Sequence, residues 1–131
     1  EGLDVYFPLV DDDAIDAVVK KPDGTFVEVQ IKARSNGVKF GSAGLFAAIP
    51  HEVRANYWFI FYSERMDTTW ILSSREFYKE ATQMKSGNNI GKSTLKLNGR
   101  NTKNKTEHVL PQYEKYVVTN FNRILAEDPD K

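Results

Sequence analysis

The segment Tyr57–Ser63 (YWFIFYS) constrains the fold of this chain more than any other part of the sequence. All of its residues except Ser63 are apolar or aromatic, so both faces of an extended strand would carry side chains that favour burial. A strand of this kind is stable in the interior of a sheet, with other elements packed on each side. The sequence therefore predicts a central strand at Tyr57–Ser63.

Strand patterns occur on both sides of this segment. We expect a first strand that Pro8 restricts to a sheet edge, then a hairpin, and one further strand. The hairpin turns at Asp23-Gly24, because Asp and Gly favour tight turns. The predicted strands are residues 4–10, the hairpin strands 14–20 and 26–33, and residues 68–72.

Residues 35–83 contain a predicted loop, a segment whose conformation the sequence leaves open, and a predicted helix. Three glycines indicate a loop over residues 35–44. Residues 45–56 have mixed helical character, which Pro50 interrupts. Ser73 and Glu76 match a capping box and predict a helix that ends near residue 83.

The last third of the chain contains two more predicted segments. Residues 85–108 are rich in Gly, Asn and Lys, and they indicate a loop or an exposed hairpin with a short strand-like alternation. From Pro111 onward the apolar residues follow helical spacing, with Pro at the favoured first turn. We expect a terminal helix there.

Length and composition limit the chain to one domain. With 131 residues it is long enough to bury a core and too short for two ordinary domains. Hydrophobic residues make up 40% and charged residues 27%, as in ordinary globular proteins. Antiparallel strands come first and helices are interspersed later, which predicts an α+β fold, a mixed sheet flanked by helices. We expect residues 1–131 to form a single domain of this class.

Several kinds of site are excluded by composition. The chain has no cysteine, which removes disulfides, thiolate nucleophiles and cysteine-zinc sites. His51 and His108 are far apart in sequence, so any metal ion would be held by oxygen atoms. No apolar run reaches the roughly 18 residues of a membrane span, and the first residues lack a signal-peptide pattern. We expect a soluble protein without a membrane partner, and a reducing cytoplasmic location fits the lack of cysteine.

The charges are unevenly distributed, although the formal net charge is zero. The first 23 residues are mainly acidic and include the run Asp11-Asp12-Asp13. The basic segment, residues 85–105, has no acid and contains Lys85, Lys92, Lys96, Arg100, Lys103 and Lys105. Such a segment indicates either contact with nucleic-acid phosphates or a solvated loop.

The predicted strand at residues 26–33 carries a row of polar side chains. Because side chains alternate along a strand, Glu28, Gln30 and Lys32 share one face and the apolar residues form a core face. Antiparallel pairing across the turn brings Asp16 near Gln30 and Lys32. Asp16 places a charge in an otherwise apolar run. Because burial of an unpaired charge is unfavourable, we expect the Asp16 carboxylate to have a specific partner. A carboxylate, an amide oxygen and an ammonium group then converge at one end of the hairpin.

These groups suit metal-dependent cleavage of a phosphodiester. Mg²⁺ and Mn²⁺ prefer oxygen ligands such as those of Asp16 and Gln30. Lys32 is suited to orient or activate an attacking water and to offset charge that develops on the phosphate. Alternating polar residues are also the ordinary pattern of a solvated strand face, and this alternative stays open for Glu28, Gln30 and Lys32.

The run Ile15-Asp16-Ala17-Val18-Val19, a turn, and Val27-Glu28-Val29-Gln30-Ile31-Lys32 resembles the PD-(D/E)XK superfamily of restriction-endonuclease-like and Holliday-junction-resolvase-like nucleases. In that family an Asp begins the second core strand, and an acid-x-Lys tripeptide follows in the next. Asp16 matches the metal-binding Asp and Lys32 the catalytic Lys. Gln30 stands in the place of the acid, a replacement known in some branches. The resemblance covers roughly residues 3–63.

The resemblance implies a restriction-endonuclease-like core and a DNA endonuclease that depends on Mg²⁺ or Mn²⁺. Asp16 and Gln30 would bind the metal, Lys32 would assist the nucleophile, and Glu28 would support the ligands or substitute for one. The family's core opens with a helix that often supplies a further Glu, and this sequence begins after the place of that helix. Enzymes of this family often pair to cut both strands, so a homodimer is expected by analogy.

Further cations are candidates for contact with DNA phosphates. They are Arg34 and Lys39, just beyond the motif, and Lys92, Lys96, Arg100 and Lys103 of the basic segment. Two other functions stay open. A nucleic-acid-binding module of the same fold without catalysis is one, because the neutral Gln30 weakens a metal site. A protein-interaction module, in which the Asp16 pattern is fortuitous, is the other.

Overall fold

The computed structural model of the protein describes residues 4–6 and 16–128, and these residues form three sheets and two short helices. The elements in chain order are β1 (Asp4–Tyr6), β2 (Ala17–Lys20), β3 (Phe26–Arg34), β4 (Leu45–Pro50), β5 (Tyr57–Ser63), β6 (Thr68–Ser73), α1 (Ser74–Glu80), β7 (Thr82–Gln83), β8 (Lys92–Lys96), β9 (Asn98–Asn101), β10 (Thr106–Val109), β11 (Val117–Val118) and α2 (Asn122–Ala126). The fold is mixed α+β, as predicted, and it is mostly sheet with few helices.

The large sheet has six strands in the order β1-β2-β3-β5-β6-β11. Strands β3 and β5 are parallel, and the other neighbours are antiparallel. The second sheet is antiparallel and has the order β4-β8-β7, while β9 and β10 form a separate hairpin. The chain thus leaves the large sheet after β3, adds β4 to the second sheet, and returns as β5 beside β3.

Strand β5 lies in the interior of the large sheet, which confirms the prediction for this segment. Tyr57, Phe59 and Phe61 define face A, where they pack with apolar residues of β4, β8 and α1. Trp58 lies on the opposite face B, in a cluster with residues of β2, β3 and α2. Full burial of each large apolar side chain contributes about 2 kcal/mol. The two clusters therefore hold the second sheet against face A and α2 against face B.

The predicted hairpin forms between β2 and β3. Its register places Ala17 opposite Val29. Gly24 in the turn has φ 89°, a left-handed conformation that glycine adopts without strain. The parts of the first two predicted strands at residues 7–10 and 14–15 lie outside the described residues.

The segment of residues 45–56, whose conformation the sequence leaves open, is not helical. Its first half forms β4, which pairs with β8, and its second half is irregular. The register of the pairing shifts between Phe46 and Ile49, and Ala48 in this bulge has φ 55°. The local sequence is ambiguous, so the partner strand β8 decides the conformation. The predicted loop before it, residues 35–44, contains neither helix nor strand.

The basic segment is more regular than the sequence suggested. Strand β8 is the middle strand of the second sheet, and Leu95 together with the following Leu97 is buried on face A. Strands β9 and β10 form the exposed hairpin that the sequence allowed. The short alternation therefore marks a strand with one buried face rather than a solvated loop.

The C-terminal segment is not one continuous helix, which corrects a further prediction. A 3₁₀ turn ends at Tyr116, β11 pairs with β6, and α2 begins only at Asn122. The two β-branched residues of β11 favour an edge strand. The side chain of Asn120 accepts the N–H of Asn122 at 3.0 Å before the chain becomes helical again. The apolar spacing that suggested one helix is shared by these three short elements.

Helix α1 begins where the capping box predicts. Ser73 accepts the N–H of Glu76 at 3.2 Å, and the Glu76 carboxylate accepts the N–H of Ser73 at 2.8 Å. The helix ends at Glu80, earlier than predicted, because β7 follows and pairs with β8. In the part of the chain that the structure describes, no helix has the length and apolar character needed to cross a membrane.

Candidate active site

Strand β3 carries the predicted row of polar side chains on face A. The parallel register places Gln30 beside Phe59 of β5, and Glu28 and Lys32 share this face because side chains alternate along a strand. Gln30 is buried, with 4% of its surface exposed. Lys32 is half-buried and lies near β4. The row therefore lies at the junction of the two sheets rather than on an open surface.

The apolar face of β3 is only partly core, so the sequence prediction for this face is wrong in its second half. Val27 and Val29 are buried on face B. Ile31 is 48% exposed, and Ala33 is also exposed. The pairing with β2 stops at Val29, and the cluster that contains α2 includes neither Ile31 nor Ala33. Alternation predicts which face a residue occupies, but the cover over that face is set by tertiary packing.

Asp16 precedes β2 and contacts the middle of the polar row. Its N–H donates to the carbonyl of Val29 at 2.9 Å, and its Oδ2 accepts the N–H of Ile31 at 2.7 Å. Since the ladder of β2 and β3 ends at Ala17, the carboxylate takes the place of a strand partner for that N–H. Asp16 is thereby held against the residue between Gln30 and Lys32.

Tyr57 is a site residue that sequence reasoning missed. Its hydroxyl donates to Oε1 of Gln30 at 3.2 Å, in a buried environment. The bond constrains the orientation of the amide. Tyr57 lies one strand away, and only the parallel register of β3 and β5 brings the two residues together. No local sequence signal reports that register.

Glu28 has a basic partner that was also missed. Arg54 donates to its carboxylate at 2.8 Å, and the Arg54 guanidinium lies 5.2 Å from the centre of the Tyr57 ring. Arg54 belongs to the irregular segment between β4 and β5. Glu28, Arg54, Tyr57 and Gln30 therefore form one connected set of polar contacts along β3. Within this set the Glu28 carboxylate is paired with a cation of the protein itself.

His51 lies behind this set and is a packing group. Its Nε2 is 2.6 Å from Oγ of Ser74, and that oxygen also accepts the N–H of Arg54 at 2.9 Å. The imidazole contacts the rings of Tyr57, Phe59 and Phe77. Burial lowers the pKa of His51 to about 4, and the positive charge of Arg54 adds to this effect. The ring is therefore neutral near pH 7. Ser74 is buried, so its hydroxyl is a packing and hydrogen-bonding group rather than an exposed nucleophile.

Lys32 and Arg34 line a cleft between β3 and β4 of about 170 Å³. The ammonium group of Lys32 makes no hydrogen bond or ion pair with any residue that the structure describes. The Arg34 side chain makes one such contact, from Nε to the carbonyl of Ser42 at 3.4 Å. The loop that contains Ser42 is fixed from the other side by Glu107, which accepts the N–H groups of Gly41 and Ala43.

The remaining predicted phosphate contacts are spread over several elements. Lys92 and Lys96 are at opposite ends of β8, and Lys96 is exposed. Arg100 in β9 is exposed and packs against Gly41, where an added Cβ would lie 3.0 Å from Nη1 of Arg100. Lys103 in the following turn and Lys39 in the loop after β3 are exposed as well. The structure thus gives each of these cations access to solvent without gathering all of them at β3.

The donor atoms near β3 match a hard divalent cation. Asp16 keeps one carboxylate oxygen without a partner among the described residues, and Gln30 contributes an amide oxygen that accepts the hydroxyl of Tyr57. Both are oxygen donors of the kind that Mg²⁺ and Mn²⁺ prefer. Over residues 4–6 and 16–128, no three His, Asp or Glu side chains gather closely enough to hold a metal ion. The run Asp11-Asp12-Asp13 lies outside the described residues.

A larger groove of about 800 Å³ lies elsewhere, between α1, the residues around β11, and α2. Arg123 spans it, with ion pairs to Glu76 at 2.5 Å and Glu127 at 3.2 Å. Both carboxylates of the groove are thus paired with Arg123, and the groove shares no lining residue with the polar row. We place the site at β3 because Asp16 is held there between Gln30 and Lys32.

Comparisons with known proteins return no relative: no family model, no curated protein and no solved structure matches this chain.

Proposed function

We propose that this protein is a metal-dependent DNA endonuclease of the PD-(D/E)XK type with a restriction-endonuclease-like core. The observation that carries the proposal is the hydrogen bond from the N–H of Ile31 to Asp16, because it holds a carboxylate between Gln30 and Lys32. The position of Asp16 directly before β2, with Gln30 and Lys32 in the next strand, supports the resemblance seen in the sequence.

Each residue of the row has a role in this proposal. Asp16 and Gln30 hold Mg²⁺ or Mn²⁺, and the cation when bound supplies Lewis acidity toward a phosphate oxygen. Lys32 orients the attacking water and offsets negative charge that develops on the phosphate, a role that suits an ammonium group without a partner among the described residues. Glu28 and its partner Arg54 support Tyr57 and, through it, Gln30.

Binding of DNA follows from the distribution of cations. Arg34, Lys39, Lys92, Lys96, Arg100 and Lys103 contact phosphates in this proposal and carry no sequence preference. Cleavage of both strands would be served by a homodimer, and such an enzyme would act on DNA in the cytoplasm.

The first test is cleavage by the full chain, with any natural N-terminal extension included. Duplex, branched and single-stranded DNA are incubated with Mg²⁺ or Mn²⁺, and chelator should abolish the product. Asp16→Ala and Lys32→Ala should each lower kcat/KM by about 100-fold or more while the circular dichroism spectrum is retained. Lys79→Ala, at an exposed position on α1, is the matched control and should cut normally. Absence of cleavage on all three substrates with both cations would overturn the proposal.

A nucleic-acid-binding module without catalysis is the second candidate, and the burial of the neutral Gln30 favours it. Gln30→Glu separates the two. In the nuclease, the new carboxylate costs stability in the absence of metal, because it is buried, and strengthens Mn²⁺ binding by at least tenfold. The melting temperature should then fall without Mn²⁺ and recover when Mn²⁺ is added. A variant whose stability does not respond to Mn²⁺ would support the binding module.

A further inference from the structure

Among the residues that the structure describes, the cleft between β3 and β4 is lined by two cations and by no carboxylate. Lys32 and Arg34 contribute the charges from β3, and residues 45–49 of β4 form the opposite wall. Both cations are half-buried. A cation that loses water without gaining a partner is unfavourable, and two like charges two residues apart on one strand face repel each other. A bound anion would remove both penalties.

The opposite wall leaves room for such an anion. Ala47 and Ala48 line the cleft, and neither presents a large side chain. Ala48 has φ 55°, a conformation that L-residues rarely adopt, and its N–H donates to Thr94 Oγ1 at 3.0 Å. The bulge of β4 is therefore held in place by the neighbouring strand β8, and it keeps the cleft open beside Lys32 and Arg34.

The guanidinium of Arg34 is suited to a phosphate. Its Nε reaches Ser42 only at 3.4 Å, and its terminal nitrogens have no partner among the described residues. These nitrogens can donate two parallel hydrogen bonds to one phosphate group. Positions two residues apart on a strand are separated by about 6.6 Å, which is close to the spacing of successive phosphates along one nucleic-acid strand.

We propose that this cleft is a phosphate subsite in which Arg34 binds the phosphate adjacent to the one that Lys32 serves. The backbone of the bound strand then runs along β3. The part assigned to Lys32 rests on the proposed function, whereas the phosphate site at Arg34 rests on the cleft alone. A backbone phosphate and free inorganic phosphate share the same chemistry, so the experiment has an arm for each.

The first arm titrates inorganic phosphate into the full chain without metal and follows backbone amide signals by NMR. The amide signals of residues 32–34 and 45–49 should shift as phosphate is added and should reach a plateau at high phosphate concentration. The Arg34→Gln substitution should remove this saturable shift. Arg75→Gln, an exposed arginine on α1, is the matched control and should retain it. Equal shifts in the Arg34→Gln variant, or shifts confined to other parts of the chain, would overturn the phosphate site.

The second arm measures binding of a fluorescent oligonucleotide by anisotropy at several salt concentrations, in chelator. Arg34→Gln should weaken binding roughly tenfold and reduce the slope of log K against log salt by about one, as loss of one phosphate contact predicts. Arg34→Lys should recover part of the affinity. If phosphate binds at Arg34 but oligonucleotide affinity is unchanged, the assignment to a nucleic-acid strand is wrong.

Both arms are independent of catalysis. A protein that binds phosphate through Arg34 but cleaves no DNA would retain the subsite and lose the nuclease proposal. A protein that cleaves DNA with the same kcat/KM after Arg34→Gln would retain the nuclease proposal and lose the subsite.

Discussion

At the scale of single residues, the polar row depends on how one amide is oriented. Gln30 can present oxygen or nitrogen to a ligand, because the two ends of its amide have the same shape. The hydroxyl of Tyr57 donates to Oε1, so it selects one orientation. The hydroxyl is a small part of a side chain whose ring is otherwise packed in the core on face A. The ring and the hydroxyl of Tyr57 therefore have separable roles.

Tyr57→Phe keeps the ring and removes only the hydroxyl. Loss of one hydrogen bond of about 1 kcal/mol should weaken Mn²⁺ binding roughly fivefold, because the Gln30 amide is no longer held with its oxygen in one direction. Isothermal titration calorimetry measures the effect, and Tyr78→Phe, at an exposed position on α1, is the control. Unchanged Mn²⁺ affinity would show that other contacts orient Gln30.

His51 makes the stability of the fold depend on pH. Its pKa is lowered from 6.5 to about 4 in the folded state, so the unfolded chain binds more protons between these values. The contribution of His51 to the free energy of unfolding should be fully present above about pH 6.5 and should be lost as the pH falls toward 4. We expect a loss of about 1–2 kcal/mol, since solvent screens the partly exposed ring.

Urea unfolding at pH 7 and at pH 4.5 checks this expectation. The difference between the two unfolding free energies should shrink in His51→Gln. It should persist in His108→Gln, because that ring lies on the surface. Equal differences in the wild type and in His51→Gln would assign the pH dependence to other groups.

At the scale of elements, the loop after β3 is fixed by one carboxylate. Glu107 of β10 accepts the N–H of Gly41 at 2.8 Å and of Ala43 at 3.0 Å, and it pairs with Arg65 at 2.7 Å. Arg65 in turn donates to the carbonyl of Val38. Burial opposes ionisation of this carboxyl, but the hydrogen bonds and Arg65 together lower its pKa. The hairpin of β9 and β10 thereby fixes the position of the loop whose Ser42 carbonyl accepts the Nε–H of Arg34.

Glu107→Gln should destabilise the protein by about 2–3 kcal/mol, because Arg65 loses its charge partner and the single amide oxygen of Gln can accept either from Arg65 or from the two backbone N–H groups of Gly41 and Ala43. Chemical denaturation measures this loss. Glu52→Gln, at an exposed position, should change stability by less than about 0.5 kcal/mol. A change of similar size in both variants would mean that the loop is held by other contacts, such as those of Asn98.

The elements that sequence predicted correctly are those with local causes. The β2–β3 hairpin follows from the turn at Gly24, the start of α1 follows from its capping box, and the burial of β5 follows from its composition. The C-terminal segment was predicted wrongly and the conformation of β4 stayed open, because these segments depend on pairing with β6 and β8 respectively. Local propensity cannot report such distant partners.

The same distinction applies to the candidate site. Alternation and the hairpin were sufficient to place Asp16 beside the segment of Gln30 and Lys32. Tyr57 and Arg54 could not be found in this way, because they reach β3 only through the return of the chain as β5. The exposure of Ile31 was missed for a related reason: periodicity assigns a face, and packing decides whether the face is covered.

At the scale of the whole molecule, the neutral net charge conceals a basic segment that forms β8 and β9. Phosphate binding by such a segment releases counterions and makes affinity depend on salt. We therefore expect the simultaneous change of Lys92, Lys96 and Arg100 to glutamine to weaken DNA binding. The slope of log K against log salt should fall by about two to three.

Fluorescence anisotropy over a series of salt concentrations measures this slope. A matched triple variant changes three exposed cations outside the basic segment to glutamine: Lys20, Arg75 and Lys79. The control should lower the slope by less than one. If the slope of the basic-segment variant equals that of the wild type, the segment has a structural role in the second sheet and no part in binding DNA.

The parallel pairing of β3 and β5 determines the order in which the site can be assembled during folding. The β2–β3 hairpin closes a short loop and can form within microseconds, so Asp16 meets β3 early. Tyr57 and Arg54 reach β3 only when β5 pairs with it, a slower step because the paired residues are distant in sequence. A nascent chain that has made the hairpin therefore carries the carboxylate and the ammonium group before the amide of Gln30 is locked, and it acquires a complete site only when the whole domain has folded.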